Sequence, residues 1–216
     1  MAQKNLTHPK TVTRQRRKDA RPAEILDAAF VEFADKGYRA TRLDDVAARA
    51  GIAKATIYVY YADKDAVFEE AVRSRIIPVL GEVGDLVDTF PGTTADLLRQ
   101  VISAFYGRMG DPATQTLLRI MIADGPAFPQ LLEFYHREFL SKAEGLLRQV
   151  VNRGLARGEF RKSAATDLPM VLMGPGLMAA IWQMTFSQFE PVSMAMFQAA
   201  HVDLALLGLQ FIGDAE

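Results

Sequence analysis

Apolar residues along this chain recur at steps of three and four, and no stretch alternates apolar with polar as a half-buried strand does. The pattern predicts an all-α protein of about nine helices. Ile25, Ala29 and Phe33 mark the buried stripe of a helix that opens at Pro22, where proline suits the first turn, and ends at Gly37. Leu43, Val46, Ala47 and Ala50 fall at i, i+3, i+4 and i+7, one face of a second helix. Thr41 and Asp44 have the spacing of a capping box at its start. Gly51 then permits a left-handed turn without a Cβ penalty, and a short third helix is expected from Lys54 to about Tyr60. Ile57 and Tyr61 lie four apart and face inward. Lys54, Ala55, Thr56, Tyr58 and Tyr60 are left for the outer side. Asp63 is placed to cap the next helix, with Lys64 in its first turn.

The remaining pattern is helical throughout. Pro78 is expected to kink or end the helix that begins near Asp63, with Gly81 and Gly84 loosening it; a break there would make it a lever, or simply an ordinary helix end. Leu97, Val101, Ala104 and Phe105 define a helix over 93–109. Asp111-Pro112 opens another, to about Ala123. After the turn DGPAFP, a long helix runs through Leu132, Tyr135, Phe139, Ala143, Leu146 and Val150 and ends near Gly154–Gly158. Leu168 to Phe189 carries no charge, yet its prolines, glycines and glutamines argue for a buried helix rather than a membrane span. From Pro191 a last helix to about Gln210 is apolar almost all round, so it needs cover on both sides. Pairing of the last two helices, about 167–212, with their copies in a four-helix bundle would supply that cover; burial within one subunit is the plainer alternative.

Charge changes the picture next. The net charge of −1 conceals an asymmetry: residues 1–64 hold 13 Lys and Arg against 8 Asp and Glu, a net +5, and the rest of the chain is net −6. A basic N-terminal part on an acidic body implies an anionic partner for the first part alone. Residues 1–21 have almost no apolar content and seven cationic side chains, so an unstructured arm that contacts DNA, or else a solubilising tail, is expected there. The chain divides on this reading into an arm (1–21), a reading unit (22–66) and a helical body (67–216). The absence of cysteine excludes thiolate catalysis and Cys-ligated zinc. The N-terminus has no apolar signal-like run, which implies a cytoplasmic protein without membrane partners.

The stretch TRLDDVAARAGIAKATIYVYYADK, together with Ile25-Leu26-Asp27-Ala28-Ala29 and Gly37, resembles the DNA-binding domain of the TetR (tetracycline-repressor-like) family over roughly residues 22–70. Ala53 stands where the family often has a capping Ser, at a cost of about 1 kcal/mol, and Tyr61 replaces the common Phe. The resemblance implies a homodimer that reads a near-palindromic operator, with a small apolar or amphipathic effector held among the helices of the body. It implies contacts to bases or phosphates from Lys54, Ala55 and Thr56, and to phosphates from Thr41, Arg42, Tyr58, Tyr60 and Lys64. Phe105, Met109, Leu117, Met121, Phe134, Met178 and Trp182 are the expected effector-binding residues, although aromatic and methionine side chains at helical spacing also simply fill cores. A repressor released by its ligand is the expected function. A small-molecule-binding protein or enzyme with a vestigial DNA unit, and a DNA-binding dimer without a small ligand, are the alternatives.

Other chemistry is sparse. Glu133-x-x-His136 has the spacing of half a di-iron carboxylate site, but no second Glu-x-x-His exists to complete it. No G-x-S-x-G or Gly-rich phosphate loop is present. No enzymatic activity, cofactor or metal is therefore expected.

Overall fold

A computed structural model of the chain describes residues 10–210, with side chains from Arg21 onward. The helices, in order, are α1 (Lys10–Ala40), α2 (Leu43–Arg49), α3 (Lys54–Tyr60), α4 (Lys64–Thr89), α5 (Thr94–Met109), α6 (Pro112–Ala123), α7 (Pro129–Tyr135), α8 (Ser141–Ala156), α9 (Ala164–Asp167), α10 (Gly174–Thr185) and α11 (Met194–Leu209). A π-turn at His136–Leu140 joins α7 and α8 into one helix. Among the described residues the only extended pairing is an isolated bridge between Phe160 and Gln210. The all-α expectation is met.

The chain forms two units, Met1–Val72 and Arg73–Glu216. The division falls six residues later than the boundary read from the sequence, for a packing reason. Val67, Phe68, Ala71 and Val72 of α4 are buried. Phe68 meets Phe33 and Tyr38 edge-on, with ring centroids 5.4 and 5.3 Å apart, while Phe33 and Tyr38 stack at 5.8 Å. The first turns of α4 thus complete the core of the first unit, beside Ile25, Ala29, Val46 and Ile57.

Three expectations change here. The basic arm is helical from Lys10, and residues 1–9 lie outside the described residues. Residues 10–21 contain neither Gly nor Pro and are rich in good helix formers, so α1 extends through Pro22 at the cost of one backbone bond. α4 also continues through Pro78 rather than ending there. Pro78 is exposed, so the carbonyl left without its helical donor lies on the solvent side. Finally, the uncharged stretch from Leu168 is not one buried helix but a 3-10 turn, Pro169–Met173, followed by α10. No helix among the described residues is long and apolar enough to cross a membrane.

The second unit packs α5, α8, α10 and α11 around Leu97, Leu98, Ile102, Val150, Val151 and Leu209. Its corners are set by side chains. Thr93 accepts from the Asp96 N–H to cap α5, and Asp111 accepts from the Thr114 N–H to cap α6. Arg153 donates to the carbonyls of Phe90 and Gly92 at 2.8 and 2.9 Å, fixing the turn before α5.

Candidate DNA-reading face and effector cavity

α2 buries Leu43, Val46 and Ala47. The chain then reverses at Gly51, whose φ of 65° is the left-handed conformation that the turn requires. The Ile52 N–H donates to the Ala47 carbonyl at 3.0 Å and closes the turn. α3 follows with Ile57 fully buried and Tyr61 beneath it, so Lys54, Ala55, Tyr58 and Val59 face outward and Thr56 and Tyr60 lie at the margin. No side chain caps α3 at Ala53. Lys54 reaches back across the turn to Asp44 at 2.7 Å, and this carboxylate raises the lysine's pKa. Lys54 is thus held as a cation at the entrance of α3, at an exposed pair that a phosphate can replace.

Two of the expected phosphate contacts are engaged inside the protein. Thr41 is 1% exposed and does not cap α2. Its hydroxyl sits within hydrogen-bonding distance of the Gly37 and Glu32 carbonyls, at 2.7 and 3.1 Å. Both carbonyls belong to the last turns of α1, which is interrupted at Gly37 (φ 75°). The N-cap of α2 is instead Arg42, whose carbonyl accepts from the Asp45 and Val46 N–H groups at 3.0 and 3.2 Å. Lys64 likewise serves α1: its ammonium donates to the Tyr38 carbonyl at 2.7 Å and lies 4.3 Å from the centre of the Tyr38 ring. A cation at a helix C-terminus is favoured by the helix dipole, and here it also stacks on an aromatic face. Asp63 does cap α4, accepting from the Ala66 N–H at 2.8 Å.

Two features were missed from sequence. Val59 is 78% exposed, the most exposed of the large apolar side chains on α3, and suits contact with a thymine methyl. Glu32, read as part of a solvated face, is buried between Arg49 at 2.6 Å and Lys36 at 2.7 Å; Lys36 continues to Asp45 and Arg49 to Asp35. Hydrogen bonds from Lys36 and Arg49 hold the Glu32 carboxyl below its usual range. This network fixes α2 against α1. Its i,i+4 half was visible in the sequence, but Arg49, seventeen residues away, was not.

Besides a cavity of about 180 Å³ between the 3-10 turn and α11, the second unit contains two that adjoin across α4 and α5. The first, about 100 Å³, lies among α4, α5, α8 and the 3-10 turn, and His201 is the one polar side chain in its wall. The second, about 220 Å³, is bounded by α4, α5, α6 and the π-turn and admits Arg75, Arg108, Asp111 and Thr114 alongside Met109 and Leu117. Val79, Phe105 and Phe139 line both. The structure therefore brings Phe105, Met109 and Leu117 together as expected and separates the other four. Met121 and Phe134 are core residues, Phe134 lying under the Arg73 guanidinium at 4.9 Å. Met178 is exposed on α10, and Trp182 packs on Phe186 while its indole N–H donates to the Glu190 carbonyl. The signal for the missing wall is the α4 stripe Arg75, Ile76 and Val79, which lies around Pro78 in a stretch that also reads as a helix end. His201 is buried, with Nε2 2.7 Å from the Leu172 carbonyl, and burial lowers its pKa. Glu133 and His136 are exposed. No group of three or more His, Cys, Asp or Glu able to hold a metal ion occurs among the described residues.

An exposed α3 set over a buried Ile57 and Tyr61, and tied to α2 through Gly51, defines a helix-turn-helix DNA-binding regulator. The chain belongs to the tetR family. The profile of the bacterial regulatory proteins, tetR family, matches residues 25–71, and that of the tetracyclin repressor-like C-terminal domain matches residues 88–200. It is 28% identical over 155 residues to the HTH-type transcriptional regulator YdeS of Bacillus subtilis, covering 70% of this chain and 73% of that protein. It is 25% identical over 154 residues to the HTH-type transcriptional repressor KstR2 of Mycobacterium tuberculosis, covering 69% and 74%. Its fold is similar to that of FadR from Bacillus subtilis, solved in complex with stearoyl-CoA, with a TM-score of 0.73 at 20% identity, covering 86% of this chain and 98% of that one. The protein is a DNA-binding transcriptional regulator.

Proposed function

We propose that this regulator is a repressor that binds a near-palindromic operator as a homodimer and leaves it when a small apolar or amphipathic molecule enters the second unit. The observation that carries the reading is α4. One helix supplies Val67, Phe68, Ala71 and Val72 to the core of the DNA-reading unit, and Arg75, Ile76 and Val79 to the wall of a cavity. A ligand that prefers a different position of α4 therefore has a covalent route to the reader. Hundredfold weakening of DNA binding requires about 2.7 kcal/mol of differential affinity. The repressor KstR2 and the stearoyl-CoA complex of FadR support this direction of regulation and this kind of effector.

The second copy is the proposed cover for α10 and α11. Leu177, Met178 and Phe186 on or just after α10, Phe189 in the turn, and Met196, Leu204 and Leu207 on α11 are all exposed, Phe189 to 79%. An exposed apolar set of this kind on two helices suits a twofold four-helix interface, with two readers then spaced for half-sites about one helical turn or more apart. At each half-site Lys54, Ala55, Thr56 and Val59 are the proposed groove contacts, and Arg42, Tyr58 and Tyr60 the phosphate contacts. Titration of the protein's own promoter fragment against a shuffled duplex of the same length, over a range of salt concentrations, tests the reading. A preference of about a thousandfold for the promoter is expected; equal affinity for both duplexes sinks it.

A further inference from the structure

The two cavities meet at Phe105, and the position of its ring depends on a residue of another helix. Gly176 of α10 lies directly beneath it. A Cβ at that position would stand 2.2 Å from Phe105 Cε1, 2.8 Å from Cδ1 and 3.1 Å from Cζ. Carbon atoms do not approach so closely, so any side chain at position 176 drives the ring away from α10. Tyr106 stands edge-on to it at 5.8 Å. The open space available to the displaced ring is the pair of cavities that it lines.

The cavities also differ in chemistry. The first is walled by Val83, Leu146, Leu147 and their apolar neighbours and holds no charged side chain. The second has the guanidinium groups of Arg75 and Arg108 and the hydroxyls of Thr114 and Tyr135. Burial pushes the Tyr135 phenol up, so it remains a donor. The carboxylate in that wall, Asp111, already accepts from both the N–H and the hydroxyl of Thr114, at 3.1 Å each. Arg108 also reaches Glu82 at 2.6 Å, an exposed pair that an accepting head can replace, so the cationic groups lie in the second cavity alone.

We propose that Phe105, seated where it is by the missing side chain of Gly176, is the partition that decides how long a ligand this protein accepts. The ligand is an elongated amphipathic molecule, its apolar end in the first cavity and a hydrogen-bond-accepting head in the second. The proposal rests on the effector-cavity reading above and adds to it the direction of the ligand and the residue pair that limits its length.

Calorimetric titration of the wild type, Gly176→Ala and the double variant Gly176→Ala/Phe105→Leu with hexanoate, decanoate and tetradecanoate tests it, with decanol as a control for the head. In the wild type, affinity should rise at least about tenfold from hexanoate to decanoate as more chain is buried. Decanoate should bind about tenfold more tightly than decanol, because its head accepts charge-assisted bonds. Gly176→Ala should leave hexanoate within about threefold of the wild type and weaken tetradecanoate at least about thirtyfold. The double variant should recover most of that loss, which a general folding defect of Gly176→Ala would not. The partition is overturned if Gly176→Ala follows the wild type along the whole series, or if the smaller side chain at position 105 restores nothing. Equal affinity for decanol and decanoate overturns the assignment of the head. A wild type that recognises its operator yet binds none of the four compounds overturns the effector-cavity reading itself, and this proposal with it.

Discussion

Two surfaces of this chain expose what folded proteins usually cover, and their chemistry is opposite. On α3 a lysine, a tyrosine and an isolated valine project from a helix whose inner side is anchored by Ile57 and Tyr61. On α10 and α11 the projecting groups include Leu177, Met178, Phe186, Met196, Leu204 and Leu207, with Asp203 as the single exposed charge on the two helices. The first surface suits a partner that is polar, anionic and grooved; the second suits one as apolar as itself. The supporting structure differs in the same sense. The reader is fixed by directional contacts, namely the Glu32–Arg49–Lys36 network, the Thr41 hydroxyl and the Lys64 ammonium. The body is fixed by close packing of aliphatic side chains and retains unfilled space. Precision is concentrated where a fixed outer partner must be read, and adaptability where a variable small one must fit.

The contrast can be broken most severely from the apolar side. Replacing Leu204 and Leu207 together by Asp should leave the fold intact, since both project outward, and convert dimer to monomer in sedimentation velocity. Operator affinity should then fall about a hundredfold or more, because one reader must bind without its tethered copy. An unchanged sedimentation coefficient would place the interface elsewhere.

A smaller effect is expected at the buried acid. Glu32→Gln should lower stability by about 2 kcal/mol in urea unfolding, since it weakens charge-assisted bonds to Arg49 and Lys36. The carboxyl is held below its ordinary value of 4.5 in the folded protein. Its contribution is therefore fully present above the unfolded-state pKa and is lost as pH falls through the folded one. The gap between wild type and variant should stay constant near neutrality and close in acid. A gap that persists undiminished at the lowest pH would show that packing, not charge, accounts for it.

The finest distinction is between two lysines of the reader. Lys54→Met should reduce the slope of log K against log salt by about 1, as expected for one lost phosphate contact. Lys64→Met should leave that slope unchanged and act through thermal stability, because its ammonium serves the end of α1. Equal slopes for the two variants would remove the sorting made here.

These contrasts also mark what the sequence could disclose. The inward and outward sides of α3 follow from helical spacing alone, and the turns at Gly37 and Gly51 follow from the one residue type that tolerates positive φ. In the sequence Thr41 and Lys64 read as DNA contacts because each stands at a helix start, a good place for a capping hydroxyl or an anion-binding cation. The competing partners lie in the last turns of α1; for Lys64 they are twenty-five and twenty-six residues back in the chain. Only the tertiary arrangement decides between them. The cavity shows the same division. Phe105, Met109 and Leu117 share the inner side of the α5–α6 pair and were legible. Met178 and Trp182 belong to an outer side that looks equally apolar in the sequence, because an outward-facing apolar surface and a cavity wall have the same composition.

The π-turn at His136–Leu140 has a consequence for how the body can change over time. One residue more than an α-helix requires is wound into the helix there, so everything after it is rotated by about 100° relative to an uninterrupted helix. Tyr135 and Phe139 line the second cavity at the insertion, while beyond it Leu146 and Leu147 line the first cavity and Val150 and Val151 meet the core. The turn therefore acts as a phase offset between two messages written on one helix. Removing a single residue from it would put α8 out of frame with both its core and the first cavity, whereas substitutions at Tyr135 and Phe139 can change the second cavity while Val150 and Val151 keep their places in the core.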